Sequence, residues 1–372
     1  MVSQRRAKCG RLPLALSVYA MLTKPVRRCA VDPKATTDGT ETMKRLITLA
    51  AFGSLLFLAG CVTSVLDVES RGTQPVPSRL LAEMSAKSMQ PASPVLVRIF
   101  KQESELEVWK TDRSGRYALL KTYPMCRWSG KLGPKTRDGD RQAPEGFYHV
   151  SSAMLNPTSQ YYLSFNLGYP NRLESALGYT GEALMVHGAC SSSGCFALTD
   201  EGVAEIYAVA RDALKGGQAS FQVQSFPFRM TATNMAKHRQ DPNFAFWTDL
   251  KRGHDLFETT RRQPKVSYCG GRYAFDVAFA GTDPLAACPP EADTPPPAIA
   301  AKFEADRIKA DALISTGTAL SAHAYSDGGM HPVFRKLLAR DGEKSLAKRV
   351  STSSVPISRP AAALADPHSP RE

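Results

Sequence analysis

LMVHGACSSSGCFALTD, residues 184–200, sets one histidine and two cysteines within nine positions, between glycines and small hydroxyl residues. Three chemistries use such a cluster. A zinc ion needs three or four ligands, and His187, Cys190 and Cys195 have neither a CxxC pair nor a second histidine close by, so the metal reading is poorly supported. A Cys190–Cys195 disulfide would close a tight loop and leave the histidine unexplained. Nucleophilic catalysis uses both residue types: a thiolate attacks, and a nearby imidazole stabilises it and later hands the proton to a leaving amine. A strand ending at His187-Gly188, and a loop returning through Gly194-Cys195 into a helix, sets the two side chains across one turn. Orphan N–H groups at the helix start are then within reach of a thiolate or an oxyanion. Spacing alone leaves two readings of Cys195 open, a nucleophile and a small buried cysteine.

On either side of this stretch the chain reads mostly as strand. PVLVRIF and SELEVWK have β-rich apolar content, with Leu106 and Val108 alternating against Glu105 and Glu107 as in half-buried strands. DRSG at 112–115 supplies a turn and RYALLKTYPMC a third strand, which makes a meander rather than alternating strand and helix. GFYHVSSAM, YYLSFNLGY, EALMVHG and GQASFQVQSFPF read as further strands. Val203, Ile206, Tyr207, Ala210 and Leu214 fall on one helical face, behind Asp200 and Glu201 at the favourable end of the dipole. A second helix is expected over Phe244 to Thr260, its Phe246, Trp247, Leu250 and Phe257 serving as core. Beyond Cys288 the sequence turns Pro/Ala-rich and poor in aromatics, predicting a largely disordered tail with a short helix near Phe303 to Leu313.

The 372 residues carry a formal charge of +12, with 43% hydrophobic and 22% charged residues. Much of the excess charge lies before residue 46: residues 1–42 hold eight bases against three acids, and Lys44 and Arg45 follow. The remainder has no dense basic patch with interleaved aromatics, which sets nucleic acid aside. From Met43, MKRLITLAAFGSLLFLAGC has the three-part layout of an export signal, its apolar run too short to span a bilayer comfortably. Leu58-Ala59-Gly60-Cys61 resembles the lipobox of bacterial lipoproteins, which implies lipidation of Cys61, translation from Met43, and residence in the periplasm; Val62 after the cysteine implies the outer membrane. In an oxidising compartment thiols pair. With Cys9, Cys29 and Cys61 set aside, Cys126, Cys190, Cys195, Cys269 and Cys288 remain, an odd number that leaves at least one thiol free. Cys269 and Cys288 are the candidate disulfide, and Cys126 is either a lone buried thiol or bonded to a partner the sequence does not identify.

The opening stretch resembles the active-site segment of the L,D-transpeptidase catalytic domain (YkuD-type) family. It is most similar to the murein branch reading HG-x-C-x-S-x-GC, then Ala and Asp, matched by His187, Gly188, Cys190, Ser192, Gly194, Cys195, Ala197 and Asp200. A second block, YPMCRWSGKLGPKTRDGDRQAPEGFYHV, Tyr123 to Val150, resembles the family's substrate-side strand and loop, and the similarity spans about residues 95–230. The resemblance implies a mainly β, sandwich-like catalytic domain with a helix after the nucleophile. It also implies Cys195 as nucleophile, His187 as general base, and the Gly194 and Cys195 N–H groups as part of an oxyanion hole. Tyr148, Arg127, Ser192 and Ser193 are the candidate substrate-binding residues, Arg127 through a stem-peptide carboxylate. Two positions depart from the commoner pattern: Ser193 replaces a second histidine and Ala197 an arginine.

The expected organisation is a leader over 1–42, a lipoprotein signal peptide over 43–60, a tether over 61–93 and a catalytic domain over 94–235. A helix-and-strand extension follows over 236–288, then the tail over 289–372. The expected activity is cysteine-dependent acyl transfer on peptidoglycan stem peptides, with no cofactor and no metal. The alternatives are an amidase releasing a wall-attached lipoprotein and an inactive peptidoglycan-binding lipoprotein. The expected partners are therefore stem peptides, a wall-attached lipoprotein, and the membrane through a lipid anchor.

Overall fold

The computed structural model describes residues 68, 70–277, 283–316, 325, 327–352 and 355–357. The leader, the signal peptide and Cys61 lie outside the described residues. Two five-stranded sheets form the body. The first has the order β3-β2-β1-β10-β5, built from β1 (Val95–Phe100), β2 (Glu105–Thr111), β3 (Tyr117–Pro124), β5 (Gly146–Ser151) and β10 (Ser220–Phe226). The second has the order β4-β9-β8-β7-β6, from β4 (Arg127–Trp128), β6 (Leu155–Asn156), β7 (Ser164–Asn166), β8 (Met185–His187) and β9 (Phe196–Ala197). Each sheet has one parallel pair, β1 with β10 and β8 with β9, and is otherwise antiparallel. The fold is thus mixed β with several helices, as the sequence leads one to expect.

One apolar core lies between the sheets, where Val97, Ile99, Val108 and Val223 of the first meet Trp128, Phe165, Val186 and Phe196 of the second. Helix α3 (Asp200–Lys215) closes it with Val203, Ile206 and Val209, after α1 (Ser78–Ala86) and the one-turn α2 (Arg172–Ala176). The α3 boundary follows from its cap: Thr199 Oγ1 accepts the Gly202 N–H at 3.0 Å, satisfying one of the orphan donors of the first turn. A second core lies on the far side of the first sheet, where Phe100, Phe147 and Phe226 meet Trp247 and Leu250 of α5 (Phe244–Thr260), which follows α4 (Ala232–Lys237). The hairpin β11 (Val266–Cys269) and β12 (Arg272–Phe275) adds Tyr273, and the Cys269–Cys288 disulfide, as expected, ties off the segment after it.

Three expectations are corrected. β2 is not half-buried: α5 covers its second face, so Glu107 is enclosed, and it is compensated by Arg229 at 2.8 Å with Arg98 at 3.9 Å. The segment read as a tether contains α1, whose Leu80 and Met84, four apart on one face, are buried in the main core, while Lys87 after it donates to the Leu119 and Leu120 carbonyls. The tail is also more ordered than its composition indicates, with α6 (Pro297–Ser315) and α7 (Pro332–Val350). Lys302 and Asp306 of α6 join Lys251 and Asp255 of α5 in an ion-pair cluster. Phe334 and Leu338 of α7, again four apart, are buried against Cys126 and Cys190. Four-residue spacing of a few apolar side chains is enough to anchor a helix when a partner surface exists, and regional Pro/Ala content hides it.

Candidate active site

The site is built on the register of β9 with β8. Val186 pairs with Phe196 and His187 with Ala197 in a parallel ladder. Alternate residues of a strand face opposite ways, so Val186 and Phe196 enter the core while His187, Ala197 and, one residue before β9, Cys195 share the other face. The row extends both ways: Arg127 pairs with Ala197, and Ser164 of β7 with His187. The Ser164 hydroxyl is buried and has no hydrogen-bond partner among the described residues. His187 and Cys195 therefore lie on one face through strand parity rather than across a single turn.

Cys195 is the free cysteine among the described residues and is partly exposed. Its sulfur accepts the Met185 N–H at 3.4 Å and lies 3.8 Å from the Ala183 carbonyl. Burial pushes its thiol above the ordinary value, against the pull of the Met185 N–H and the Lys135 charge. His187 is 3% exposed and packs on the Tyr161 ring at 4.6 Å. Its Nδ1 lies 2.7 Å from the Gly188 carbonyl oxygen. A carbonyl only accepts, so Nδ1 carries the proton and Nε2 is left as the basic nitrogen. Burial lowers the imidazole to about 4. Both groups are therefore neutral near pH 7. The standing thiolate–imidazolium pair considered from the sequence is thus replaced by a neutral thiol and a neutral imidazole.

The loop between them is held at every turn. Gly188 is required by space: a Cβ there would lie 2.6 Å from Asp200 Oδ1 and 2.9 Å from the Tyr161 carbonyl oxygen. Ala189 and Cys190 both adopt left-handed backbone, with φ of 63° and 47°, which L-residues resist. Asp200 Oδ1 accepts the Ala189 N–H at 2.8 Å, and a Cys126–Cys190 disulfide fixes the next residue. That bond identifies the partner of Cys126 and excludes a Cys190–Cys195 bridge. Gly194, at φ 124°, gives its N–H to Ser129 Oγ at 2.5 Å, and Ser192 Oγ donates to the Cys195 carbonyl at 2.7 Å and lies 3.0 Å from Ser129 Oγ.

These bonds revise four sequence assignments. The Gly194 N–H is consumed by Ser129 and does not face an oxyanion. Ser192 is buried and shapes the turn; Ser193 is exposed. Tyr148 lies in the core, its hydroxyl donating to Glu174 Oε1 at 2.6 Å, so it does not line a groove. Arg127 is on the catalytic face yet fully buried, because residues 327–329 lie over it: Nη2 donates to the Asp327 carbonyl at 2.7 Å. Cys195 also does not open a helix, since β9 and Thr199 separate it from α3. Ser129, Cys126, Tyr161 and Ser164 were missed. Ser129 and Cys126 fall within the Tyr123–Val150 block, but no spacing signal links them to residues 64 or 65 positions later.

The fold and this cysteine–histidine face define an L,D-transpeptidase-type domain, and the chain belongs to the L,D-transpeptidase family. The model of the L,D-transpeptidase catalytic domain, YkuD, matches residues 95–218. The chain is 47% identical over 181 residues to the L,D-transpeptidase-family protein YafK of Escherichia coli strain K12, covering 49% of this chain and 73% of that one, and equally to its counterpart in strain O157:H7. Among solved structures, the helical cell shape determining protein Pgp2 of Campylobacter jejuni aligns at 18% identity and TM-score 0.30 over 50% of this chain and 80% of its own. Bd1075 of Bdellovibrio bacteriovorus aligns at 17% identity and TM-score 0.27, over 46% and 63%. The assignment rests on the family match and the sequence relatives, not on these structural alignments.

Proposed function

We propose that the chain is a cysteine acyltransferase acting on peptidoglycan stem peptides. The observation that carries this reading is an unpaired, accessible sulfur on the same sheet face as an imidazole whose Nδ1–H is fixed on the Gly188 carbonyl. In the first half-reaction His187 Nε2 takes the Cys195 proton as the sulfur bonds to the carbonyl carbon of a diaminopimelate-type L-centre. The C–N bond then breaks, the imidazolium protonates the departing amine, and a thioester remains. In the second, an amine or water loses its proton to Nε2 and attacks the thioester, returning the thiol. An amine acceptor gives transpeptidation; water gives an amidase that releases a wall-attached lipoprotein. The lipobox-like run ending at Cys61 supports the further reading that the chain acts in the periplasm from an outer-membrane lipid anchor.

The test is intact-mass spectrometry after incubation with a carbapenem. The expected result is one adduct on Cys195, absent in Cys195→Ala. No adduct, together with unchanged muropeptides and equal muropeptide binding by Cys195→Ala, would instead identify a binding protein. Incubation with sacculi bearing covalently attached lipoprotein separates released protein from new cross-links. Lipid labelling lost in Cys61→Ser tests the anchor.

A further inference from the structure

Arg127 shares the sheet face of Cys195 and His187, is fully buried, and retains an Nε with no hydrogen-bond partner among the described residues. A buried guanidinium calls for an anion in fork geometry. What it has is a loose substitute. The Asp327 carboxylate lies 3.5 Å from Arg127 Nη2, 3.5 Å from Arg141 Nη2 and 3.3 Å from the Gly130 N–H, three long contacts for a group still 28% exposed. Arg141 is itself 55% exposed and lines a cavity of about 280 Å³ with Gly130, Lys131, Asp140, Gln142 and Asp327, the Asp140 charge being paired with Lys135 at 2.5 Å. This corner adjoins the nucleophile: a Cβ on Gly194 would lie 3.8 Å from the Gln142 carbonyl oxygen, and Ser129, next to Gly130, binds the Gly194 N–H.

The segment carrying Asp327 is a strand mimic. β4 is an edge of its sheet, and Gly329 exchanges both main-chain bonds with Trp128 at 3.1 Å, flanked by Gly328 N–H on the Gly130 carbonyl and His331 N–H on the Met125 carbonyl at 3.0 Å. An open strand edge with a cationic corner is a peptide-binding arrangement, here filled from within the chain.

We propose that Arg127, Arg141 and the Gly130 N–H form a carboxylate subsite for the stem peptide, and that Asp327 with residues 328–331 is its internal occupant, an autoinhibitory strap that substrate displaces. This rests on the acyl-transfer reading for the identity of the peptide. Competition of this kind lowers apparent affinity by the fraction of time the site is closed. The experiment uses the full chain with Cys195→Ala to prevent turnover, and as probe a soluble disaccharide-tripeptide ending in diaminopimelate, beside its carboxamide analogue. Calorimetry should show Asp327→Asn binding the free acid about tenfold tighter than the parent, the gain vanishing when Arg141→Ala is added, and the carboxamide not distinguishing the proteins. Hydrogen exchange at the Trp128 and Gly329 amides should quicken when the acid binds the parent. Equal or weaker binding by Asp327→Asn, equal gain with the carboxamide, no binding by either protein, or an unchanged exchange pattern overturns the subsite. A Cys195 thioester formed on the chain with Cys195 intact by a disaccharide-tetrapeptide, whose diaminopimelate carbonyl carries an amide-linked amine that can depart, would leave the acyl-transfer reading standing, and its absence beside the expected binding pattern would remove that reading alone.

Discussion

Replacing Cys126 and Cys190 together by alanine separates the anchoring of the catalytic loop from general stability. The bond closes a loop of sequence separation 64, for which chain entropy gives a stabilisation of about 4 kcal/mol; the Cys269–Cys288 bond, separation 19, gives about 3 kcal/mol. The two double variants should therefore lose similar stability in urea denaturation. Their effects on the site should differ. Ala189 and Cys190 are held in left-handed backbone at roughly 1–2 kcal/mol each, and without the disulfide the loop relaxes toward ordinary angles, drawing Cys195 from its place beside β8. If most of that roughly 2–4 kcal/mol must be restored to reach the reactive geometry, Cys195 acylation slows by about 30- to 1000-fold. Carbapenem acylation, followed by mass spectrometry at a temperature where both variants are folded, reads this directly. Parental acylation by Cys126→Ala/Cys190→Ala, or an equal loss in Cys269→Ala/Cys288→Ala, would refute the argument that the bond positions the nucleophile.

Gly194→Ala places a Cβ at φ 124° and 3.3 Å from Leu184 Cδ1, a strain of about 1–3 kcal/mol, and should cut acylation at least about tenfold with unchanged far-UV circular dichroism. Ser129→Ala leaves the buried Gly194 N–H without its acceptor and should cost about 1–3 kcal/mol in denaturant midpoint analysis, with a smaller effect on rate than Gly194→Ala. His187 is neutral above about 4, so acylation should stay level from about pH 5.5 to 8 and fall as pH drops through 4; a break near 6.5 would contradict a buried neutral base. The same lowering means that between 6.5 and 4 the unfolded chain binds a proton the folded chain does not, so this group's share of stability is lost as pH falls through that window; His187→Gln should make the slope shallower without abolishing it, because burial lowers His238 and His254 to about 4 as well.

What the sequence discloses of this molecule is what it encodes over short distances. His187 and Cys195 are eight apart and the strand ending at His187 is legible, but the two-residue β9 (Phe196–Ala197), whose pairing with β8 sets their common face, is too short to show in the sequence. The α5 limits and the apolar face of α3 follow from spacing within one helix. Pairings across the fold are not encoded in this way. Cys126 meets Cys190 because β4 is the neighbour of β9, a fact of sheet order. Glu107 and Tyr148 look like surface or groove residues until α5 and the buried Glu174 are in place around them. Arg127, a candidate substrate contact from the sequence, is not open to substrate as it stands, because a segment 200 residues later covers it.

The protonation states and the disulfide belong to one argument. Thiol–disulfide exchange needs a thiolate and an accessible sulfur. Cys195, its thiol raised above the ordinary value by burial, carries little thiolate at neutral pH, while the Cys126–Cys190 sulfurs are enclosed beneath Phe334 and Leu338 of α7. A standing ion pair at the site would have supplied a thiolate five residues from Cys190, and the loop that must stay oxidised to hold its left-handed turn would have been exposed to its own nucleophile. A neutral pair avoids this: in the acyl transfer we propose, the sulfur becomes nucleophilic only when a carbonyl is in place and His187 removes the proton in the same step. The burial that depresses the imidazole is therefore compatible with the proposed acyl transfer, and it is also consistent with a free Cys195 thiol five residues from a disulfide-bonded Cys190.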